Sequence, residues 1–177
     1  MWVMPTVFSH AIIPLAMAGA AGTARIPFRV AALGALLAMA PDVDVIGFRL
    51  GIHYGDVWGH RGATHSLVFA ALVVTGIALV WREARTIWRA LFLFMAMASH
   101  GLIDMLTDGG HGVAWLWPFD TARYFLPWQP IRVSPIGARF FSARGLETVT
   151  SELALIWLPS ALVYVAAWGW RRKRLAS

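Results

Sequence analysis

The chain contains no cysteine, only one lysine (Lys173) and very little charge: 14% of its 177 residues are Asp, Glu, Lys or Arg. Without cysteine there is neither a disulfide nor a thiolate ligand, so any transition-metal site must be built from histidine and carboxylate. A soluble domain carries about 25% charged residues. That shortage, with 59% hydrophobic residues and a mean hydropathy of +0.64, excludes an ordinary soluble domain and makes a membrane protein the expectation. Acids are scarcer than bases, nine against fifteen, for a formal net charge of +6. The longest basic run is Arg171 to Arg174, too short to track a phosphate backbone, so nucleic acid is not the expected partner. The excess instead reports orientation in a bilayer and contact with anionic lipid. There is also no glycine-rich phosphate loop, internal repeat or heptad pattern.

What is present is hydrophobic length. Crossing a hydrocarbon core as helix takes roughly 20 mostly apolar residues, and five stretches qualify: residues 5–24, 30–48, 62–81, 87–106 and 153–170. The expected fold is therefore all-α, a polytopic transmembrane helical bundle of about five spans forming one integral membrane domain over residues 1–177. Residues 1–111 would make the half that carries the polar site. The first run has no basic segment before it and holds His10, so it is read as a retained helix rather than a signal peptide. Between the fourth and fifth spans, residues 107–152 mix four prolines with many aromatics, the signature of an interfacial loop rather than a disordered linker. Ten tryptophans suit the headgroup belt on either side.

Short connections on the cytoplasmic side carry the Lys/Arg excess. One side of the five-span topology collects Arg25, Arg29, Arg82, Arg85, Arg89, Arg171, Arg172, Lys173 and Arg174 in three short segments. The other collects Arg49, Arg61, Arg123, Arg132, Arg139 and Arg144 over two longer ones. The C-terminus is thus expected in the cytoplasm and the long loop outside, as for a protein of a bacterial-type inner membrane.

The intramembrane polar residues converge on that outer leaflet. His10 begins the first span, Asp42 and Asp44 end the second, His60 and His65 open the third, and His100 and Asp104 close the fourth. Burying an ionised Asp at bilayer depth costs roughly 2.5–3.5 kcal/mol on insertion scales, so such groups face a cavity, a partner or a metal. His100 and Asp104, one helical turn apart, place an imidazole and a carboxylate where one cation can accept both. Each residue alone has a plainer reading: His10 bonding a backbone carbonyl, Asp42 capping a helix after Pro41, His53 and His111 as loop residues, Arg61 reaching headgroups. Jointly, on one leaflet, they point to a metal centre. An all-His/Asp set suits Zn, with Mn as the alternative, and clustered ions of this kind serve phosphoester hydrolysis by a metal-activated water. Ser9, Ser66 and Ser99 are poor nucleophile candidates by comparison.

Four blocks, "FSHAIIPLAMA" (residues 8–18), "PDVD" (41–44), "HRGATHS" (60–66) and "SHGLIDMLTDGG" (99–110), together resemble the YdjM-like family of membrane-bound metal-dependent hydrolases. That family is similar at a distance to the helical zinc-dependent phospholipase C and P1 nuclease superfamily. The resemblance implies His10, Asp44 or Asp42, His60 or His65, His100 and Asp104 as ligands, with His111 a further candidate, around two or three ions. The later His-x-x-x-Glu element of the soluble enzymes is missing, so two ions are expected rather than three. The expected reaction is cleavage of a phosphoester in a phospholipid or lipid-linked substrate at the outer leaflet, with Asp44 or Asp42 handling the attacking water and Arg61, joined by Arg123 or Arg132, pairing with phosphate, whose oxygens a guanidinium fork matches. Thr64 and Thr107 would support the ligands. A metal-ion or proton transporter and a non-catalytic membrane protein with a structural metal are the alternatives, and oligomeric state is not legible.

Overall fold

The computed structural model describes residues 3–4, 6–135 and 141–176; Pro5, at the start of the first expected span, and Arg139, one of the loop cations, lie outside them. Among the described residues the regular elements are helices apart from one small antiparallel pairing, in which β1 (Val3–Met4) meets β2 (Ser134–Pro135) with Val3 opposite Pro135, and two isolated bridges, Thr107 with Ile131 and Val113 with Tyr124. The helices are α1 (Val7–Ala21), α2 (Phe28–Met39), α3 (Leu67–Val80), α4 (Ile87–Met105), α5 (Ala143–Glu152) and α6 (Leu158–Ala176). Helix α2 continues without a break as a 3₁₀ helix, Ala40–Leu50, and α5 runs through a π-helical turn, Leu153–Trp157, into α6.

Three of these rods are long and apolar enough to cross a membrane: Phe28–Leu50, Ile87–Met105 and Ala143–Arg174, of 23, 19 and 32 residues. Helices α1 and α3, with 15 and 14 residues, are apolar but shorter than the roughly 20 that a full crossing takes. The five expected hydrophobic rods are all present, and three have spanning length. Two boundaries differ from expectation. The third rod starts at Leu67 rather than residue 62, because Ser66 is its N-cap and accepts the Phe69 N–H at 3.1 Å. His60 and His65 therefore lie in the turn ahead of the helix. The last rod starts at Ala143 rather than residue 153, which shortens the interfacial segment to residues 106–142.

Helices α1, α2 and α4 pack on one another, α3 lies against α4, and α6 lies against α1. Small residues set the spacing: a Cβ on Gly34 of α2 would come 2.6 Å from the Phe92 ring of α4, so this contact needs glycine, as close helix packing in a membrane does. The hydrophobic core runs from Ala18 through Val30, Leu37 and Val74 to Leu93 and Met97. By contrast, α6 turns Leu162, Val163 and Val165 outward, each more than half exposed, which is a lipid-facing pattern.

The 3₁₀ winding decides where the two aspartates of the second rod point. Pro41 has no N–H to give to Leu37, and the Ala40 N–H already reaches back only three residues to the Leu37 carbonyl, so the helix tightens there. Two residues apart means about 160° of separation on an α-helix and about 120° on a 3₁₀ helix. Val43, Ile46 and Arg49 form the outward column, and Asp42 and Asp44 both turn toward the bundle.

Candidate metal centre

Four segments deliver the polar side chains to one point: the start of α1 (His10), the 3₁₀ helix (Asp42, Asp44), the turn before α3 (His60, Arg61, His65) and the end of α4 (His100, Asp104). All except Asp44 are at most 6% exposed as whole residues, and the Asp44 side chain is 2% exposed. Gly101 permits this convergence, since a Cβ there would sit 2.8 Å from both the His65 carbonyl oxygen and the Trp115 ring.

Asp42, His65, His100 and Asp104 form a four-donor group. His65 Nε2 and His100 Nε2 are 3.0 Å apart. Asp42 Oδ1 is 3.3 Å from His100 Nε2 and 3.9 Å from His65 Nε2, while Asp104 Oδ2 is 3.6 Å and 3.4 Å from the same atoms. A tetrahedral ion with bonds of about 2.0–2.1 Å has ligand-to-ligand edges of about 3.3 Å, and the observed edges bracket that value.

Hydrogen-bond bookkeeping shows what this group lacks. His100 Nδ1 lies 2.7 Å from the Ala38 carbonyl, which only accepts, so Nδ1 carries the proton and Nε2 presents a lone pair. Asp44 does the same for two further rings. Its Oδ1 is 2.7 Å from His60 Nδ1, and its Oδ2 accepts from Thr64 Oγ1 at 2.8 Å and lies 3.3 Å from His65 Nδ1. Thr64 Oγ1 in turn is 3.0 Å from His65 Nδ1. So His65 also turns an unprotonated Nε2 inward, and four acceptors face one another. Both oxygens of Asp42 receive no hydrogen bond from any described residue, an arrangement that costs free energy unless a cation sits among them. One proton would satisfy one pair; a divalent ion satisfies all four. The residues fit a metal.

Asp44, His60 and His65 make a second, adjoining group, in which Asp44 orients both rings. His60 Nε2 is buried without a hydrogen bond from a described residue, and its ring stands edge-on to Tyr54 at 5.3 Å between centroids. His10 stacks on His100, with centroids 3.9 Å apart, and its Nε2 lies 3.9 Å from Asp104 Oδ1. Burial pushes the Tyr54 hydroxyl above its ordinary value, opposed by nearby Arg61.

Arg61 is fully buried, with two hydrogen bonds and an ion pair. Its Nε lies 3.1 Å from Asp104 Oδ2, Nη2 donates to Asp104 Oδ1 at 3.3 Å, and Nη1 donates to the Gly109 carbonyl at 2.8 Å. It holds a φ of 63°, strained for a residue with a Cβ and typical of functional turns. Arg123 donates to the His60, Tyr54 and Asp56 carbonyls, and Arg132 pairs with Asp108 at 2.8 Å. Thr107 bonds the Asp104 carbonyl. Of the residues singled out in the sequence, His10, Asp42, Asp44, His60, His65, His100, Asp104 and Arg61 are brought together. His111 is not: it is exposed in the connecting loop, its ring 4.5 Å from that of Tyr54. His53 is exposed in the α2–α3 connection.

The sequence reading missed the pairing of Arg61 with Asp104 and the Ala38 carbonyl, a backbone partner that no side-chain motif announces. It also missed the partners of Glu152, which is 2% exposed and accepts from the Thr6 N–H at 2.7 Å, the Thr6 hydroxyl and the Ser9 hydroxyl at 2.7 Å. Trp157 Nε1 donates to Ser9 Oγ at 2.9 Å. The available signal was a lone acid next to an apolar run.

Comparison with known proteins now decides the family. The family model described as YdjM inner membrane protein matches residues 4–174. The chain belongs to the YdjM family of inner membrane proteins. A curated relative, inner membrane protein YbcI of Escherichia coli strain K12, is 45% identical over 174 residues, covering 96% of this chain and all of that protein. No solved structure gives a significant match. Membership in the YdjM family bears out the resemblance drawn from the four sequence blocks, and the apolar rods agree with an integral inner-membrane protein carrying a buried His/Asp group able to hold a metal ion.

Proposed function

We propose that this YdjM-family protein is a metal-dependent hydrolase that cleaves a phosphoester in a phospholipid or lipid-linked substrate. The observation that carries the reading is the meeting of four buried acceptors, two imidazole nitrogens and two carboxylates, with no donor among them. The mixed N/O set suits Zn, or Mn, and the four-donor group seats one ion rather than the two expected from the sequence, because Asp44 turns its oxygens to His60, Thr64 and His65 and serves with His60 as the oriented surround. A divalent ion held there supplies Lewis acidity and activates water near neutral pH.

The chain's own residues have separable tasks. The Ala38 carbonyl and Asp44 fix the tautomers of His100 and His65. Arg61 holds Asp104 in place and offsets its charge. Asp42, the acid whose oxygens take no hydrogen bond from a described residue, is the group to accept a proton from the attacking water. The site faces the outer leaflet and the C-terminus the cytoplasm, by the arginine bias. In a chain without native cysteine this is read directly: an impermeant maleimide should label Gly55→Cys from outside and Lys173→Cys only after permeabilisation.

A second reading has one observation in its favour. Four donors close around a point and all are buried, whereas a catalytic zinc keeps a position open, so a structural metal would also fit. Metal content by mass spectrometry, together with turnover of a phospholipid panel in detergent, separates the readings. The wild type should carry one ion per chain and turn over a lipid, and Asp104→Ala and His65→Ala should lose both. A full metal load without turnover would assign the ion a structural task. Wild-type protein purified without chelator and free of metal would sink both readings.

A further inference from the structure

At the end of the bundle away from the metal centre, a groove of about 220 Å³ opens between α1 and α4. Met17 and Ala21 line it from α1, Trp88, Leu91 and Met95 from α4, and Arg25 stands at its mouth. The three α4 residues repeat at helical spacing, seven residues from first to last, so the groove is a channel about 10 Å long parallel to the helix axes. The two helices run in opposite directions, which sets Arg25 beside Trp88 at the rim and Met17 beside Met95 deeper in. Trp88 is 68% exposed and Leu91 and Met95 nearly half exposed, so the channel opens sideways to the surroundings of the bundle. Its volume is below the roughly 300–1,000 Å³ of a small-molecule pocket, a size for one chain of a lipid rather than a compact ligand.

The rim says which lipid. The three short segments at this end carry nine cationic residues against one carboxylate, Glu83. Several of those cations are already used: Arg85 bonds the Ala78 and Leu79 carbonyls, Arg171 those of Gly19 and Ala20, and Arg89 those of Arg25 and Glu83. Arg25 and Arg29 are exposed, and among the described residues neither guanidinium has a hydrogen bond or ion pair. A guanidinium fork matches phosphate oxygens, and an indole at headgroup depth matches the interface.

We propose that this groove binds one anionic phospholipid of the arginine-rich leaflet, an acyl chain lying along Met17, Leu91 and Met95 and the headgroup phosphate held by Arg25, with Arg29 adding to the field. This site is independent of the metal centre and of its chemistry.

Native mass spectrometry of the full chain, offered equimolar phosphatidylglycerol and phosphatidylcholine with identical acyl chains, tests it. The wild type should retain one phosphatidylglycerol in clear excess. Arg25→Gln should lower that preference about fivefold and Arg25→Gln with Arg29→Gln further, since each basic residue near an anionic surface contributes about that factor. Ala21→Phe, which fills the groove, should lose both lipids alike; because the glutamine substitutions alter exposed side chains, they carry the test even where the phenylalanine variant does not fold. Equal retention of the two lipids by the wild type, or an unchanged preference in the double variant, would overturn the proposal. So would displacement of phosphatidylglycerol by millimolar glycerol phosphate, which would make the site one for free phosphate.

Discussion

Ser9 and His10 are neighbours on α1, yet they face two buried carboxylate assemblies of opposite make-up. Around Ser9, Glu152 meets only donors: a backbone N–H, two hydroxyls and, one step further, the Trp157 indole. Around His10, Asp42 and the Oδ2 of Asp104, whose other oxygen accepts from Arg61, meet imidazole nitrogens of His65 and His100 whose protons are already turned away toward Asp44 and Ala38. Both assemblies bury charge, so burial alone does not mark a metal centre. The balance of donors and acceptors does.

The difference predicts that the two respond to mutation in different ways. Glu152→Ala strands the donors of Thr6 and Ser9 in an apolar setting, at about 1–3 kcal/mol per unsatisfied group. Part of this is recovered because the Thr6 and Ser9 hydroxyls lie 3.0 Å apart and can bond each other. A net loss of about 2–4 kcal/mol is expected, read as a lower melting temperature in detergent with metal content unchanged. If metal were lost in proportion, the knot would belong to the centre and the contrast would collapse. Asp44→Asn acts the other way round. The fold keeps its packing, but His60 and His65 lose the carboxylate that sets their tautomers, and removing such a partner typically weakens metal affinity about 10–100-fold. Competition with a chromophoric chelator measures this. An unchanged affinity would mean that Thr64 alone orients His65.

How much of this contrast was legible in the sequence depends on the reach of each interaction. The helical rods were readable because apolar length is a local property, and the convergence of His10, Asp42, His65, His100 and Asp104 followed from hairpin topology, whichever face of the membrane they occupy. The inward turn of both Asp42 and Asp44 was not readable from α-helical spacing, since it depends on the 3₁₀ winding that starts at Ala40, next to Pro41. Neither was the start of α3, where the Ser66 cap leaves His65 on a turn. The pairing of Glu152 was not readable because its partners, Thr6 and Ser9, lie more than 140 residues away along the chain, and no spacing rule links them. The assignment of Arg61 to phosphate illustrates the converse: the sequence showed a cation near the site, and only the fold showed Asp104 against it.

A third carboxylate sharpens the comparison, with the smallest effect. Asp108, one turn beyond Asp104 and outside the spanning rods, is held by Arg132, by the Val133 N–H and by Arg144, and so ties the connecting loop and the start of α5 to the end of α4. Burial acts against its ionised form, but hydrogen bonds from Arg132, the Val133 N–H and Arg144 outweigh it and hold the carboxyl below its ordinary range. A folded-state value below the unfolded one means that the contribution to stability is full above the unfolded value, near 3.9, and drains away as pH falls through the folded value. The side chain is open enough to solvent that the effect is modest. Melting of wild type and Asp108→Asn should therefore differ by the full amount above about pH 4 and converge only as the pH falls below that, through the folded-state value. A gap that stayed constant across that range would show that Asp108 acts through its shape and not its charge, leaving the metal-side acids as the ones whose ionisation the fold depends on.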